Sequence, residues 1–493
     1  MKIISVAAMR ALEAKAVETA LPEYRLMRRA GIGGAAVLEK FAQGHFRRIV
    51  FFCGSGNNAG DAIVAAGSLH TLPHILLPFR DRAALKGAAA EAFKEFGPRL
   101  NICDPLLFDF APGDLIVDAL LGIGFTGSSI REPVAAALRM IKNSRLPVAA
   151  FDLPSGLDGD SGHGSPETPR ADLTITFGVP KQGLFTAEGK KFCGKVTVVP
   201  IGVENFSVKN ALPYEFFSSA DAEKLLPRME LDAHKNSCGR VLLLCGSTQY
   251  PGAAALAASG ALHFSGLVRL LTVKSSQLPP LPAALICRQL LPDATGSLPA
   301  ETLDLNSDIL SCSDVLCAGC GWGGGVSPVL LKKILDFPGP VILDADALNL
   351  LARNRNLWNY RSDAVLTPHP GEAARLAKAF GINQNMEREA FTAELSRRLG
   401  ATVVLKGFHT CVGTPDGKVT INGSGGPELA MAGSGDVLAG IIAGLAAKMK
   451  DIPSAVRLGV FLHGAAGDTG RGAVIADDLP ALAAAAAAYH TWW

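Results

Sequence analysis

Two separate series of short, uninterrupted Val/Ile/Leu/Phe runs constrain this chain more than any other feature. The first comprises Arg48–Cys53, Ile75–Pro78, Leu115–Asp118 and Pro147–Asp152, with helix-like segments at Ala62–Leu72, Ala83–Phe96 and Glu132–Lys142 between them. Strands that are apolar on both faces have to be covered on both faces, and helical crossovers do this, so the pattern predicts a doubly wound parallel sheet. A second series starts afresh at Arg240–Cys245 and continues through Leu267–Val273, Asp314–Ala318, Val341–Asp344, Ala364–Thr367 and Thr402–Lys406. Between them lies Val199–Leu226, polar and less regular at Gly202–Ser219, which places a boundary near residue 215. A single core rarely grows past about 250–300 residues. The expectation is therefore two α/β domains, 1–215 and 216–493. Their turn motifs differ, so one is not a duplicate of the other.

Composition then removes several classes of function. Lys+Arg 47 against Asp+Glu 45 leaves a net charge of +2, too little to draw nucleic acid or an anionic membrane by charge alone. Ten cysteines in 493 residues are too sparse for a disulfide scaffold. The N-terminus carries charges every few residues and no apolar signal core. The longest apolar helix candidate, Val437–Ala447, is too short to span a bilayer and ends at Lys448. A soluble, cytoplasmic protein with small-molecule ligands and no membrane partner is expected. The alanine run Ala483–Ala488 reads as a packing or surface helix without chemistry.

In an open α/β sheet the ligand lies beyond the carboxyl ends of the strands. Three such ends in the first half carry polar residues: Cys53-Gly-Ser-Gly-Asn-Asn-Ala-Gly-Asp61, Val117 to Gly127, and Phe151-Asp-Leu-Pro-Ser-Gly-Leu-Asp158. Gly54, Gly56 and Ala59, with Asp81 further on, also satisfy a dinucleotide fingerprint. Asp61 would repel a pyrophosphate there. Taken singly, Asp61 reads as a first-turn helix acid, and Asp118 and Asp152 as caps or turn formers. Together with the amide pair Asn57 and Asn58 they describe a convergent, oxygen-rich pocket suited to a hard cation.

The second half has no phosphate-binding G-x-x-x-x-G-K-[ST] loop. Its sharpest feature is Ala432-Gly-Ser-Gly-Asp436, small residues leading into an apolar helix. Gly433 and Gly435 would let backbone N–H groups face an anion without side chains intruding. Asp436 could then accept a proton from a hydroxyl attacking that phosphate. Strand ends at Asp344, at Thr367-Pro-His369-Pro-Gly-Glu372 and at Lys406-Gly-Phe-His-Thr410 lie on the same ligand side. His409 is ambiguous and receives no catalytic role.

Segments in both halves resemble the bifunctional NAD(P)H-hydrate repair enzymes (Nnr). In order they are GNNAGD, VDALLGIGFTG, DLPSGLDGDSG, ADLTITFGVPKQGL, GKVTVVPIGV, HKNSCGRVLLLCGSTQYPGA, CAGCGWG, LDADALNLL, LTPHPGEAARL, VLKGFHT and AMAGSGDVLAG. The resemblance implies a Rossmann-like epimerase domain followed by a ribokinase-like dehydratase domain that uses ADP or ATP with Mg²⁺. It further implies that Asn58, Asp118 and Ser155 hold K⁺. Asn57, Asn58, Ala59, Gly60 and Asp61, with Gly122, Ile123, Gly124, Phe125, Thr126, Gly127 and Ser128, would bind the hydrated nicotinamide nucleotide, and Asp152 would move the proton. In the second half Ala253, Gly321 and His369 would meet the damaged dinucleotide. Lys406, Gly407, Phe408, His409, Thr410, Gly433, Ser434 and Gly435 would meet the adenine nucleotide, and Asp436 would be the base. The resemblance also implies a homo-oligomer, with a number of subunits that the sequence does not fix.

The chain departs from the family pattern at several positions. Ala59 and Ala62 replace two glycines of the family loop, so that loop is expected to sit slightly differently. Cys320 stands where proline is usual, and Cys312, Cys317 and Cys320 have the C-x4-C-x2-C spacing of an iron–sulfur site. Two alternatives remain open at this point: a ribokinase-like small-molecule kinase fused to a binding domain, and a nucleotide-binding scaffold without chemistry in the first half.

Overall fold

The computed structural model describes every residue except 20, 43, 71–73, 79–83, 128, 207–212, 229–230, 471–473 and 490–493. Asp81 and Ser128 therefore lie outside the described residues. The chain divides into two compact units, Met1–Leu212 and Pro213–Trp493.

The first unit holds six parallel strands: β1 (Arg48–Cys53), β2 (His74–Pro78), β3 (Asp114–Ala119), β4 (Val148–Phe151), β5 (Leu173–Phe177) and β6 (Lys195–Val199), ordered β2-β1-β3-β4-β5-β6. The chain leaves β1 toward one edge and returns at β3 on the other side, so the strand order reverses between β1 and β3. Such a switch opens a crevice at the carboxyl ends of the two strands. One face of the sheet packs Phe51, Val117, Phe151 and Ile175 against the helices Glu23–Ala42 and Asn57–Ser68, while Val50, Phe52, Ile116 and Ala150 pack against Val134–Ser144. The alternation along each strand explains the continuous apolar runs: both faces are core.

The stretch Asn57–Asp61 is not a loop. It is the first turn of the helix Asn57–Ser68, which starts five residues before the expected Ala62. Ala59 and Ala62 are fully buried there, and neither has a left-handed backbone. The two glycine replacements thus cost nothing in conformation and favour the helix.

The second unit builds ten strands: β7 (Tyr214–Phe217), β8 (Arg240–Leu244), β9 (Leu267–Val273), β10 (Ile286–Leu290), β11 (Val315–Ala318), β12 (Val341–Leu343), β13 (Val365–Leu366), β14 (Thr402–Leu405), β15 (Cys411–Gly413) and β16 (Val419–Asn422). They are ordered β10-β9-β8-β11-β12-β13-β14-β15-β16-β7. All neighbours are parallel except across β15, which pairs antiparallel with both β14 and β16. The order reverses between β8 and β11, again opening a crevice at carboxyl ends. The helix Ser434–Met449 is apolar all round because it is buried all round, against Pro251–Leu262, Ile452–Gly470 and Leu479–Tyr489. The alanine run belongs to the last of these, with Leu479 and Ala483 buried. β7 straddles the expected boundary near residue 215 and pairs with β16 of the second sheet.

Among the described residues, no helix is long and apolar enough to cross a membrane. The iron–sulfur spacing is not realised: Cys312 is exposed at the end of a helix, whereas Cys317 is a buried residue of β11 and Cys320 lies buried beyond it.

Candidate active sites

In the first unit the ends of β1, β3 and β4 converge. Asp118, fully buried in β3, accepts from the backbone N–H of Ser155 (2.8 Å) and from Ser155 Oγ (2.6 Å). Ser155 Oγ in turn accepts from Leu121 N–H at 2.8 Å. Burial pushes the Asp118 carboxyl up to about 6, although the Ser155 bonds pull it down. Asn58 Nδ2 donates to the carbonyls of Leu121 (2.8 Å) and Phe151 (3.0 Å), tying the helix to both strand ends. Its own carbonyl oxygen, Asn58 Oδ1, is buried and accepts nothing. An unpartnered buried oxygen is what a bare cation would satisfy.

Asp152 follows β4 with φ +62°, a left-handed backbone uncommon outside glycine and asparagine. Its Oδ2 accepts from Ile123 N–H at 3.1 Å. A Cβ on Gly122 would stand 3.0 Å from that Oδ2 and 3.4 Å from Asn58 Cβ, so glycine lets this turn lie against the carboxylate. Gly124, Thr126 and Gly127 are exposed, and Ile123 and Phe125 half-buried, along the rim. Asp61 is raised well above the ordinary carboxyl range, first by burial and then by the charges of Asp152 and Glu13. Asn57 instead donates outward to Glu23 Oε1 at 2.8 Å, and Gly60 packs on Met27.

In the second unit the ends of β11, β12, β13 and β14 meet the start of the helix Ser434–Met449. Asp344, buried, accepts on Oδ1 from Lys406 Nζ (2.8 Å) and Thr367 Oγ1 (2.7 Å). Lys406 is largely buried, and Asp344 outweighs that burial and holds its ammonium charged. Gly433 has φ +88° and opens the turn. A Cβ on Gly435 would stand 3.3 Å from Lys406 Nζ and 3.8 Å from Asp344 Oδ2. The start of the helix and the Lys406 ammonium thus lie together with Asp344 Oδ2 close by, a cradle with a geometry able to hold a phosphate. Asp436 lies beside it, with a ligand atom within 4.8 Å of those of Cys320 and Asp344. Burial, then repulsion by Asp344, pushes its carboxyl up to about 7. Gly321 faces Ala253, with only 2.6 Å between a Cβ placed on Gly321 and that of Ala253.

His369 is differently placed from a simple ligand group. Its Nδ1 accepts from Gly371 N–H (3.0 Å) while Glu372 bonds back to its own N–H (2.8 Å), so it caps the helix Pro370–Phe380 with its ring half exposed. Phe408 is exposed and stacks edge-on against the buried His409. Thr410 Oγ1 closes the turn onto Gly407 O at 2.9 Å.

Comparison with known proteins bears on both halves. A family model described as NAD(P)H-hydrate dehydratase matches residues 241–485, and one described as YjeF-related protein N-terminus matches 23–183. A bifunctional NAD(P)H-hydrate repair enzyme Nnr from Moorella thermoacetica is 36% identical over 491 residues, covering 94% of this chain and 92% of that one. The chain belongs to the bifunctional NAD(P)H-hydrate repair enzyme family. The Nnr proteins of Coxiella burnetii (36% identical, 93% of each chain) and Escherichia coli (32%, 90% and 85%) agree. A ribokinase-like superfamily protein from Enterococcus faecalis V583 matches the fold with a TM-score of 0.50 at 24% identity, over 58% of this chain and 99% of that one.

Within this Nnr-family chain, two residues that sequence reasoning did not single out, Lys181 and His463, shape the sites together with Asp344. Lys181 is buried against Asp152, with Nζ to Oδ1 at 2.7 Å. Asp344, placed on the ligand side by its strand, proves to be the counter-ion of Lys406. His463 Nε2 lies 3.1 Å from Ser434 Oγ and 3.0 Å from Ser434 O, and burial pushes it down to about 4, so it is neutral and pins the glycine turn. Gly435→Ala should raise the Kd for ADP about tenfold or more, close to 1.4 kcal/mol, with an unchanged melting curve. Calorimetric titration checks this; wild-type affinity would contradict the cradle.

Proposed function

We propose that the first unit interconverts the R and S forms of hydrated NADH or NADPH, and that the second dehydrates the S form at the expense of ADP, with ATP as the other candidate. The observation that carries this reading is Asp436 beside a cradle made by Gly433, Gly435 and the fixed ammonium of Lys406. Such an arrangement suits phosphoryl transfer to a hydroxyl. Asp436 accepts the proton of the ring hydroxyl as that oxygen forms a bond to the terminal phosphorus of ADP and the bridging P–O bond breaks, releasing AMP. The new phosphate then leaves with its C–O electron pair, and loss of a ring proton restores the double bond. Hydroxide is a poor leaving group and phosphate a good one, which is the chemical reason for using a nucleotide. Magnesium would neutralise the nucleotide phosphates.

In the first unit Asn58 Oδ1, Asp118 and Ser155 form an all-oxygen donor set that fits K⁺, which would supply fixed positive charge under the crevice. Asp152, held by Ile123 N–H against the Gly122 turn, accepts and returns the proton during epimerisation.

Phosphate release tests the reading of the second unit. Incubation of S hydrate with ADP should yield one free phosphate and one AMP per NADH formed. A phosphorylated product without free phosphate would establish the small-molecule kinase instead.

A further inference from the structure

Lys181 is a lysine with 1% of its surface exposed, set beside the largely apolar core of its unit. Burying an ammonium is costly unless all its protons find acceptors. Here they do: Asp152 Oδ1 at 2.7 Å, Phe177 O at 2.8 Å and Thr176 Oγ1 at 3.1 Å. Two of these partners belong to β5 and one to the turn after β4, so the ammonium bridges neighbouring strand ends. Val179 and Pro180 lead into this position, and Ile4 N–H bonds to Pro180 O, which fixes the segment from its other side. The two oxygens of Asp152 are thereby held by different donors: Oδ1 by Lys181 and Oδ2 by Ile123 N–H.

A carboxylate gripped at both oxygens on a left-handed backbone has little rotational freedom. A fold needing only stability would fill this position more cheaply with an apolar side chain. We infer that Lys181 is a positioning residue for epimerisation: its three-acceptor clamp sets the orientation of Asp152 toward the crevice and keeps a fixed positive charge behind it. The inference rests on the epimerase reading of the first unit. Nothing in it requires Lys181 to touch the substrate.

Because Lys181 acts through Asp152, its loss should move kcat and leave KM nearly alone. Lys181→Met, Lys181→Gln and Lys181→Arg would be compared with the wild-type chain, using purified R hydrate and circular dichroism to confirm folding. Lys181→Met is expected to lose about 50-fold or more in epimerisation kcat with KM within about threefold. Lys181→Arg should recover a measurable part of that loss by keeping the charge. Should the methionine chain not fold, Lys181→Gln, which keeps two N–H donors without charge, carries the same expectation of a kcat loss at constant KM. A folded Met or Gln variant with kcat within twofold of wild type, or with a loss carried wholly by KM, overturns the inference. A wild-type chain that fails to epimerise at all instead overturns the reading on which it rests, and the two failures are thus told apart.

Discussion

Replacing Asp436 by asparagine should lower dehydratase turnover about 10³-fold, within the 10²–10⁴ range usual for a positioned base, while ADP binds within about threefold of wild type. The asparagine keeps the shape of the helix start and cannot accept the proton. The environment of Asp436 gives a second, independent expectation. Its carboxyl is pushed up to about 7 by burial and by Asp344, against the pull of the Cys320 thiol and Lys406. A base must be ionised to work, so kcat should rise with pH through about 7 and level above it. A profile flat between pH 5 and 8 would remove Asp436 from the role. The same shift has a stability consequence of fixed sign. A carboxyl whose folded value is raised favours the folded state at low pH, and that favour is lost as pH rises through about 7. Asp436→Asn should therefore melt higher than wild type at pH 8 and much less so at pH 5.

The second large effect is expected at Asp152. Asp152→Asn should abolish epimerisation, a loss of about 10²-fold at least, and leave dehydration of pure S hydrate intact. Asparagine is the informative substitution because it tolerates the φ of +62° and still offers Lys181 an acceptor. Alanine would take from the buried ammonium its acceptor as well as its counter-charge, at a cost of about 3–5 kcal/mol, and so would mix a larger folding defect with the chemical one. Unchanged epimerisation in a folded Asp152→Asn chain would contradict the assignment. In the same assay, Na⁺ in place of K⁺ should slow the wild type. K⁺ should also raise the melting temperature of the wild-type chain but not of Asn58→Leu, which lacks the unpartnered oxygen.

What could be seen in the sequence were the strand ends that carry chemistry, because glycine, amide and carboxylate residues interrupt apolar runs there. Asp118, Asp152 and Lys406 stand out in this way, and Asp436 does so at the start of an apolar helix. What could not be seen were pairings between strand ends far apart in the chain. Lys406 and Asp344 are 62 residues apart, and His463 and Ser434 are 29 apart. Neither member of such a pair announces the other. Lys181 was hidden for a related reason: only the parallel placement of β4 beside β5 buries it on Asp152. The helix start at Asn57 was obscured by composition. Its glycines and asparagines suggest a loop, but packing of Gly60 on Met27 and of Asn58 across two strand ends makes it a helical turn. Strands β15 and β16 were missed because they form an antiparallel excursion inside an otherwise parallel sheet.

The central claim, two linked repair activities in one chain, is tested most directly by following nicotinamide absorbance in a mixture of R and S hydrates. The chain would be supplied with Mg²⁺ and K⁺, with and without ADP. Complete recovery of NADH, and only when ADP is present, is the predicted result. Recovery that stops at the S fraction would contradict an active epimerase, and no recovery with either ADP or ATP would contradict the dehydratase.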